Sequence, residues 1–159
     1  MQQKKKEAEI FEAPYRYIAD YLYSYGEISK FFREVKDNKQ LYATKCPQCG
    51  VVWCPPRGFC SHCYVPTDWV PLTGKGTVLA CTYCYFEATG EEQLPHHFDL
   101  PFIMAIIKLD GADTGFLHTV RSKEAKMGEI KAGTRVKIVW REPRLGKVVD
   151  FYFVPDEAA

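Results

Sequence analysis

The sequence predicts a mainly β protein with one short N-terminal helix, in which a cysteine-rich ribbon precedes a small five-stranded barrel. Two Cys-x-x-Cys pairs lie close together in the first half of the chain. Five runs of strand-forming residues, separated by glycine turns, occupy the second half. We therefore expect an N-terminal extension and helix at residues 1–39, the ribbon at 40–73 and the barrel at 74–155.

Composition narrows the class of protein. The chain has 159 residues, of which 47% are hydrophobic and 26% charged, which excludes a disordered tail. The longest apolar run, Phe102–Ile107, has the length of a strand, so no membrane span is expected. The net charge of +1 predicts no general attraction to nucleic acid or anionic lipid. Seven cysteines without a secretory leader indicate a reducing, cytoplasmic compartment, where paired cysteines bind metals.

The first aromatic feature is a tyrosine-rich segment from Pro14 to Gly26. Its tyrosines recur at every second residue with one interruption, at positions 15, 17, 21, 23 and 25. This period favours an extended segment with one aromatic face, although two helical turns are an alternative. A ribbon is too thin to bury such a face, so we expect another subunit to cover it.

A short amphipathic helix follows the tyrosines. Ile28, Phe31, Phe32 and Val35 have the spacing i, i+3, i+4 and i+7, which places them on one helical face. We expect the helix to end near Asn38 and its apolar face to extend the surface for a partner.

The two cysteine pairs, Cys46–Cys49 and Cys60–Cys63, are ten residues apart. Each Cys-x-x-Cys turn supplies two thiolates, and Gly50 eases the first turn. Two such knuckles closing on one ion form a zinc ribbon. Because the protein supplies all four ligands, the predicted Zn²⁺ is structural and not catalytic.

The remaining thiols are not expected to bind metal. Cys54 lies between the knuckles and would exceed the four ligands that zinc needs. Cys81 and Cys84 lie in a strand, where an offset of three residues places them on opposite faces, and we expect them to be buried thiols. His62 is an alternative ligand inside the second knuckle, but the four cysteines make it unnecessary.

Strand patterns dominate the second half of the chain. We expect strands at residues 76–87, 102–109, 115–121, 134–141 and 147–154. Turn-forming residues separate these runs: Asp110-Gly111, Gly128, Gly133 and Leu145-Gly146. A weakly helical insert, Ser122 to Ala132, follows the third run. Five strands with this insert have the plan of an OB-fold, and another small barrel is the alternative.

Charge is unevenly distributed over these strands. Residues 87–113 contain six acids and one base, whereas residues 121–147 contain nine bases and three acids. One interpretation is two solvated faces that partly neutralise each other. The other is a basic surface for phosphates, either of nucleic acid or of a nucleotide-like cofactor.

Several motifs occur in a characteristic order between residues 27 and 155. They are Phe31-Phe32-Arg33, the two cysteine pairs with Pro55-Pro56-Arg57 between them, Trp69-Val70, Gly74-Lys75-Gly76-Thr77-Val78, Pro101–Ile107 and Gly133–Val136. This order resembles the DUF35 family, whose members join a rubredoxin-like zinc ribbon to an OB-fold and accompany thiolases and related acyl-CoA enzymes.

The resemblance implies a non-catalytic accessory subunit that binds a thiolase-like catalytic chain, in an α2β2 type of hetero-oligomer. It further implies structural zinc in this chain, with coenzyme A or acyl-CoA bound by the complex. Arg57 is the candidate contact to coenzyme A, because its guanidinium suits a phosphate and the Pro-Pro pair restricts its backbone. Packing on Trp53 or Trp69 is the alternative role for Arg57.

Two classes of function follow. The favoured function is that of the accessory subunit, in which residues 14–36 and the ribbon contact the partner. The alternative is a nucleic-acid-binding module, since zinc ribbons and OB-folds both occur in such proteins. The balanced charge disfavours that alternative. A self-sufficient thiolase is not expected, because the chain is short and shows no plausible Cys–His pair outside the ribbon.

Overall fold

The computed structural model describes residues 19, 21–85, 102–122 and 128–157. In this part of the chain, one α-helix precedes a three-stranded sheet and a closed five-stranded barrel. The predicted mainly β class is thus confirmed. No helix among the described residues is long and apolar enough to cross a membrane.

The predicted helix is present as α1, Ser29–Asn38. It follows a 3₁₀ turn at Gly26–Ile28 and ends where Lys39 adopts a left-handed conformation with φ of 52°. Phe31 and Val35 are buried in the main hydrophobic core, together with residues of the sheet and the barrel. The expectation that this apolar face is available to a partner is therefore wrong, because the chain's own core covers it.

The ribbon contains three short strands. β1 is Leu41–Lys45, β2 is Val52–Trp53 and β3 is Asp68–Leu72. β1 lies between the other two and pairs antiparallel with both. Thr44, opposite Trp53 on one side and Trp69 on the other, is buried at the centre of this sheet.

The barrel strands are β4 (Lys75–Cys84), β5 (Phe102–Leu109), β6 (Gly115–Val120), β7 (Arg135–Trp140) and β8 (Phe151–Pro155). They close in the order β4-β5-β6-β8-β7, and only the contact between β6 and β8 is parallel. Alternate residues of these strands point inward and form one apolar core. It includes Val78, Ile103, Ile107, Phe116, Val136, Phe151 and Phe153.

The last strand begins later than predicted. Residues 148–150 form a 3₁₀ turn, and β8 starts at Phe151. The cause is Asp150, whose Oδ2 accepts the backbone N–H groups of residues 145, 146 and 147 at 2.6–2.9 Å. Parts of two other predictions, residues 86–87 of the first barrel strand and 123–127 of the insert, lie outside the described residues.

The β5–β6 loop attaches the ribbon to the barrel. Asp113 accepts the N–H of Val52 at 2.8 Å and donates its own N–H to the Val52 carbonyl at 2.9 Å. The hydroxyl of the next residue, Thr114, accepts the N–H of Cys54 and donates to the Cys54 carbonyl. The metal knuckles are therefore held in a defined position on the barrel.

Candidate metal centre

The first knuckle is a tight turn that follows β1. Cys46 donates its N–H to the Val51 carbonyl at 2.9 Å, and the N–H of Gly50 donates back to the Cys46 carbonyl at 3.0 Å. Gly50 has φ of 77°, a left-handed conformation that glycine adopts without steric cost. The N–H of Cys49 also lies 3.4 Å from the Cys46 sulfur. Local backbone geometry thus brings the first two thiols together.

The second knuckle repeats this arrangement. The N–H of Cys60 donates to the Val65 carbonyl at 2.9 Å, and the N–H of Tyr64 donates to the Cys60 carbonyl at 2.9 Å. Tyr64 occupies the position of Gly50 and has φ of 57°, so a non-glycine residue adopts the left-handed conformation here. The N–H of His62 lies 3.4 Å from the Cys60 sulfur.

The structure brings together the four predicted sulfurs. The Sγ atoms of Cys46, Cys49, Cys60 and Cys63 all lie within 4.8 Å of one another. The Cys49 and Cys60 sulfurs are 3.7 Å apart, and a tetrahedral zinc with bonds of about 2.3 Å requires edges of about 3.8 Å. These residues therefore fit a four-thiolate zinc site with no position left open for a substrate.

The four thiols of this cluster differ in pKa. Desolvation and neighbouring thiols raise the pKa of Cys63 to about 12. Desolvation acts in the same direction at Cys60, but the N–H groups of Cys63 and His62 outweigh it and lower the pKa to about 6. Four thiolates this close repel one another unless a cation compensates their charge, and Zn²⁺ supplies that compensation when bound.

The other thiols stay outside the cluster. Cys54 is buried in the main core, and burial raises its pKa to about 12. Cys81 and Cys84 are half-buried, so the prediction that they are buried thiols was too strong. The Cys81 thiol donates to the Ile130 carbonyl at 3.2 Å. His62 packs its ring against Trp53 at 5.1 Å and is not part of the four-sulfur group.

Arg57 lies on the ribbon with its guanidinium carbon 5.0 Å from the centre of the Trp53 ring. Its Nη1 donates to Ser61 at 3.0 Å, and Thr44 hydrogen-bonds to its backbone N–H and carbonyl at 2.9 Å each. The structure thus places Arg57 in the packing role that was the alternative to phosphate binding. Its contact with coenzyme A stays a prediction.

The basic stretch of the barrel divides into two groups. Arg135 forms a bidentate pair with Asp110, and Lys137 lies 3.2 Å from Asp156, so part of the stretch is neutralised. Arg121 and Arg141 instead place their guanidiniums against the ring of Tyr152. The local sequence carries no signal for this convergence, because the three residues belong to different strands or strand ends.

The fold and the cysteine cluster define a zinc ribbon joined to an OB-fold barrel. Two adjacent family models match the chain: the rubredoxin-like zinc ribbon domain of ChsH2 over residues 33–68, and the C-terminal OB-fold domain of ChsH2 over residues 69–141. Together they cover more than half of the sequence. The chain belongs to the DUF35 family and has the domain order of ChsH2.

Known proteins are similar to this chain in sequence or in fold. A DUF35 domain-containing scaffold protein from Methanocaldococcus jannaschii is 26% identical over 116 residues, which cover 72% of this chain and 77% of the relative. The crystal structure of a DUF35 protein of unknown function from Sulfolobus solfataricus has a TM-score of 0.59 at 22% identity, covering 82% of this chain and 87% of that one. A chain of the Ltp2-ChsH2(DUF35) aldolase has a TM-score of 0.59 at 21% identity, covering 84% and 98%. The two structural likenesses establish the fold.

Proposed function

We propose that this chain is a non-catalytic accessory subunit of a thiolase-like acyl-CoA enzyme, with Cys46, Cys49, Cys60 and Cys63 holding one structural Zn²⁺. The observation that carries the proposal is the amount of apolar surface left exposed beside a closed metal site. The names of two relatives support it: one is a scaffold protein and the other an aldolase in which ChsH2 accompanies Ltp2.

The first exposed surface is the tyrosine segment. Residues 21–25 form neither helix nor strand, and Tyr21 and Tyr23 are 74% and 68% exposed. The Tyr23 and Tyr25 rings meet edge to face at 5.2 Å, which places them on one side of the chain. With Leu22, these rings offer on the order of 400 Å² of apolar surface, roughly half of one side of a standard interface. Tyr15 and Tyr17 lie outside the described residues.

The second surface lies on the outer face of the barrel. Ile106 of β5 and Leu117 of β6 are register partners, and they are 42% and 61% exposed. Leu79, in the bulge of β4, is also exposed. Leu79 and Ile106 both reach Gly115, where an added Cβ would lie 3.8 Å and 2.5 Å from their side chains. An aliphatic patch across three strands is typical of a protein interface.

The described residues contain no evident catalytic group for acyl transfer. A thiolase needs an activated thiolate and a paired acid or base. Four of the thiols form the metal cluster, and burial keeps Cys54 protonated at neutral pH. Among the described residues, neither Cys81 nor Cys84 hydrogen-bonds to a histidine. We therefore assign catalysis to the partner.

The finer hypothesis concerns the complex itself. We propose an α2β2 assembly in the cytoplasm that binds coenzyme A or an acyl-CoA, with the benzoylsuccinyl-CoA thiolase of anaerobic toluene breakdown as the first complex to test. The resemblance of the motif order to the small subunit of that enzyme supports this choice.

Co-purification tests the accessory role. The full chain and a variant lacking residues 1–26 are each produced with the thiolase-like chain. The complex is then measured by gel filtration and by acyl-CoA thiolysis. We expect activity only when both chains are present, and a weaker complex with zinc retained after truncation. If the truncated chain assembles with its partner at full strength, the tyrosine segment is not part of the interface.

A matched pair of leucines tests the barrel surface. Leu117→Ser removes an exposed leucine from the aliphatic patch, whereas Leu145→Ser removes an exposed leucine from the β7–β8 connection. We expect only Leu117→Ser to weaken the complex. Equal effects of the two variants would exclude the patch as the docking surface.

A further inference from the structure

One of the four cysteines of the candidate metal centre is exposed to solvent. Cys49 is exposed, whereas Cys46 and Cys60 are buried and Cys63 is half-buried. Gly50 follows Cys49 and lies in an open environment, because no described atom beyond its chain neighbours lies within 4 Å of a Cβ added there. Oxidation of cysteine is selective for thiolates that solvent reaches. A small oxidant therefore reaches Cys49 more readily than the other three ligands.

A sulfur of the second knuckle lies close to this exposed cysteine. The Sγ atoms of Cys49 and Cys60 are 3.7 Å apart. A disulfide bond is about 2.0 Å long, so an approach of about 1.7 Å joins the two sulfurs. The two cysteines are 11 positions apart in sequence, so this bond closes a loop around residues 50–59.

The enclosed segment is the one that attaches the ribbon to the barrel. Val52 and Cys54 make backbone hydrogen bonds to Asp113 and Thr114 of the β5–β6 loop. A disulfide that closes this segment keeps it short and restricted even without a metal. The second knuckle begins at Cys60 and continues beyond the closed loop. Loss of the metal therefore frees the second knuckle while the attachment to the barrel is retained.

We propose that Cys49 and Cys60 form an oxidation-sensitive pair, which peroxides convert into a disulfide with release of the zinc ion. The inference rests on the zinc site of the proposed function. Disulfides in reducing compartments are usually transient and redox-sensing, and a pair that is reduced whenever it binds metal fits that use.

The reaction with hydrogen peroxide is balanced in electrons and protons. A thiol that coordinates zinc is deprotonated, so Cys49 attacks one peroxide oxygen as a thiolate. An S–O bond forms, the O–O bond breaks, and the leaving hydroxide takes a proton to become water. The Cys60 thiolate then attacks the Cys49 sulfur: the S–S bond forms, the S–O bond breaks, and a second hydroxide leaves as water after protonation.

This sequence removes two of the four metal ligands. The two sulfurs lose two electrons, the two peroxide oxygens gain them, and two protons are consumed. Only Cys46 and Cys63 remain as thiolates, and a structural zinc site needs four ligands. Oxidation therefore releases Zn²⁺, and a dithiol reductant with Zn²⁺ reverses the change.

A close contact connects the ribbon with the tyrosine segment. A Cβ added at Gly58 would collide with the Glu27 carboxylate, so the turn at Gly26–Ile28 lies directly against residue 58. Thr67, just after the second knuckle, donates its N–H to the Gly58 carbonyl at 3.1 Å. Release of the second knuckle therefore withdraws support from the turn that follows Tyr25. We expect the oxidised chain to assemble less well with the thiolase-like chain.

Peroxide treatment of the full, zinc-loaded chain tests the pair. A chromogenic chelator follows zinc release, and the remaining thiols are alkylated before tryptic digestion and mass spectrometry. Cleavage after Arg57 separates the two cysteines, so a disulfide between them joins residues 46–57 to residues 58–75. We expect one zinc per chain before treatment, zinc release together with a Cys49–Cys60 cross-link after it, and recovery with dithiothreitol and Zn²⁺.

Ligand variants separate the exposed sulfur from the rest of the cluster. Cys49→His removes that sulfur but keeps four ligands, because zinc also binds three cysteines and one histidine. Its zinc loss in peroxide should be at least about fivefold slower than that of the wild type. Cys63→His keeps the sensitive pair and should still release its zinc. A double variant, Cys81→Ser with Cys84→Ser, removes the half-buried thiols of β4 and should behave as the wild type.

Three results would overturn the inference. They are retention of zinc in excess peroxide, disulfides confined to residues 46–57 or to residues 58–75, and equal rates of zinc loss in the wild type and in zinc-loaded Cys49→His. Undiminished assembly of the oxidised chain with the thiolase-like chain would refute the connection to the tyrosine segment.

The outcomes for the pair and for the proposed function are distinguishable. A reduced chain that assembles and holds zinc but resists peroxide refutes only the sensitive pair. A chain that releases zinc and forms the cross-link as expected, yet never assembles with the thiolase-like chain, refutes only the accessory role. A reduced chain that holds no zinc refutes the metal site and the pair together.

Discussion

The hydroxyl of Thr114 accepts the N–H of Cys54 and donates to the carbonyl of the same residue, with both distances 2.8 Å. The two residues are 60 positions apart in sequence. One side chain from the barrel therefore satisfies both backbone groups of a buried ribbon residue. Together with the two hydrogen bonds between Asp113 and Val52, this contact joins the ribbon to the barrel.

Thr114→Val is expected to destabilise the chain by about 2–3 kcal/mol, because it leaves two backbone groups of Cys54 without partners. Urea unfolding measures the change, and zinc content should stay the same because no ligand is altered. Thr114→Ser keeps the hydroxyl and should recover most of the loss. If valine is as stable as serine, the hydroxyl does not hold the two units together.

Cys60→Ser is expected to abolish zinc binding and unfold the ribbon, because binding and folding are coupled in four-cysteine sites. Metal analysis and Trp fluorescence measure the two effects. Cys54→Ser is the matched control: it should keep full zinc but lose about 1–2 kcal/mol, since it places a hydroxyl in an apolar core. A substoichiometric metal content or an iron–sulfur spectrum in the wild-type chain would contradict the zinc assignment.

Gly50→Ala is expected to cost about 1 kcal/mol, because alanine is strained at φ of 77°. No atom lies within 4 Å of the added Cβ, so the cost comes from the backbone alone. Tyr64 lies at the equivalent position of the second knuckle and already has a Cβ atom. Tyr64→Ala should therefore change stability by less than about 0.5 kcal/mol. If Gly50→Ala costs no more than Tyr64→Ala, the left-handed backbone of residue 50 is not a source of strain.

The ion pairs of Asp156 predict that the stability of the fold depends on pH. Its carboxylate lies 2.9 Å from the Lys75 ammonium and 3.2 Å from that of Lys137, and these two hydrogen bonds lower its pKa. The folded chain therefore binds this proton more weakly than the unfolded chain. The stabilisation is complete above about pH 3.9, the ordinary Asp value, and decreases as the pH falls through the lowered pKa.

Asp156→Asn should remove this contribution. Urea unfolding between pH 2.5 and 7 is expected to show a smaller loss of stability in acid for Asp156→Asn than for the wild type. Asp68→Asn, a change at an exposed carboxylate of the ribbon, serves as the control for charge. If the acid dependence of Asp156→Asn matches that of the wild type, the lysine pair does not stabilise the fold.

Features defined by nearby residues were predictable from the sequence. The Cys-x-x-Cys spacing specifies a turn that closes within five residues, so the four thiols could be grouped before their geometry was known. The helix at Ser29–Asn38 and the barrel strands follow from periodicities of 3.6 and 2 residues. The grouping of the four cysteines was therefore predictable from local pattern. The strand pattern alone did not distinguish an OB-fold from another small barrel, and the motif order favoured the OB-fold.

Contacts between distant segments were decided by the tertiary structure. Phe31 and Val35 have the spacing of an apolar helical face, but only the path of the chain determines that its own core covers that face. Arg57 carries a fork that suits phosphate, and the fold places it on Trp53. Arg121, Arg141 and Tyr152 meet only because closure of the barrel brings β6, β7 and β8 together. A local pattern specifies which face of an element is apolar or charged, whereas what that face meets depends on long-range packing that no short stretch of sequence encodes.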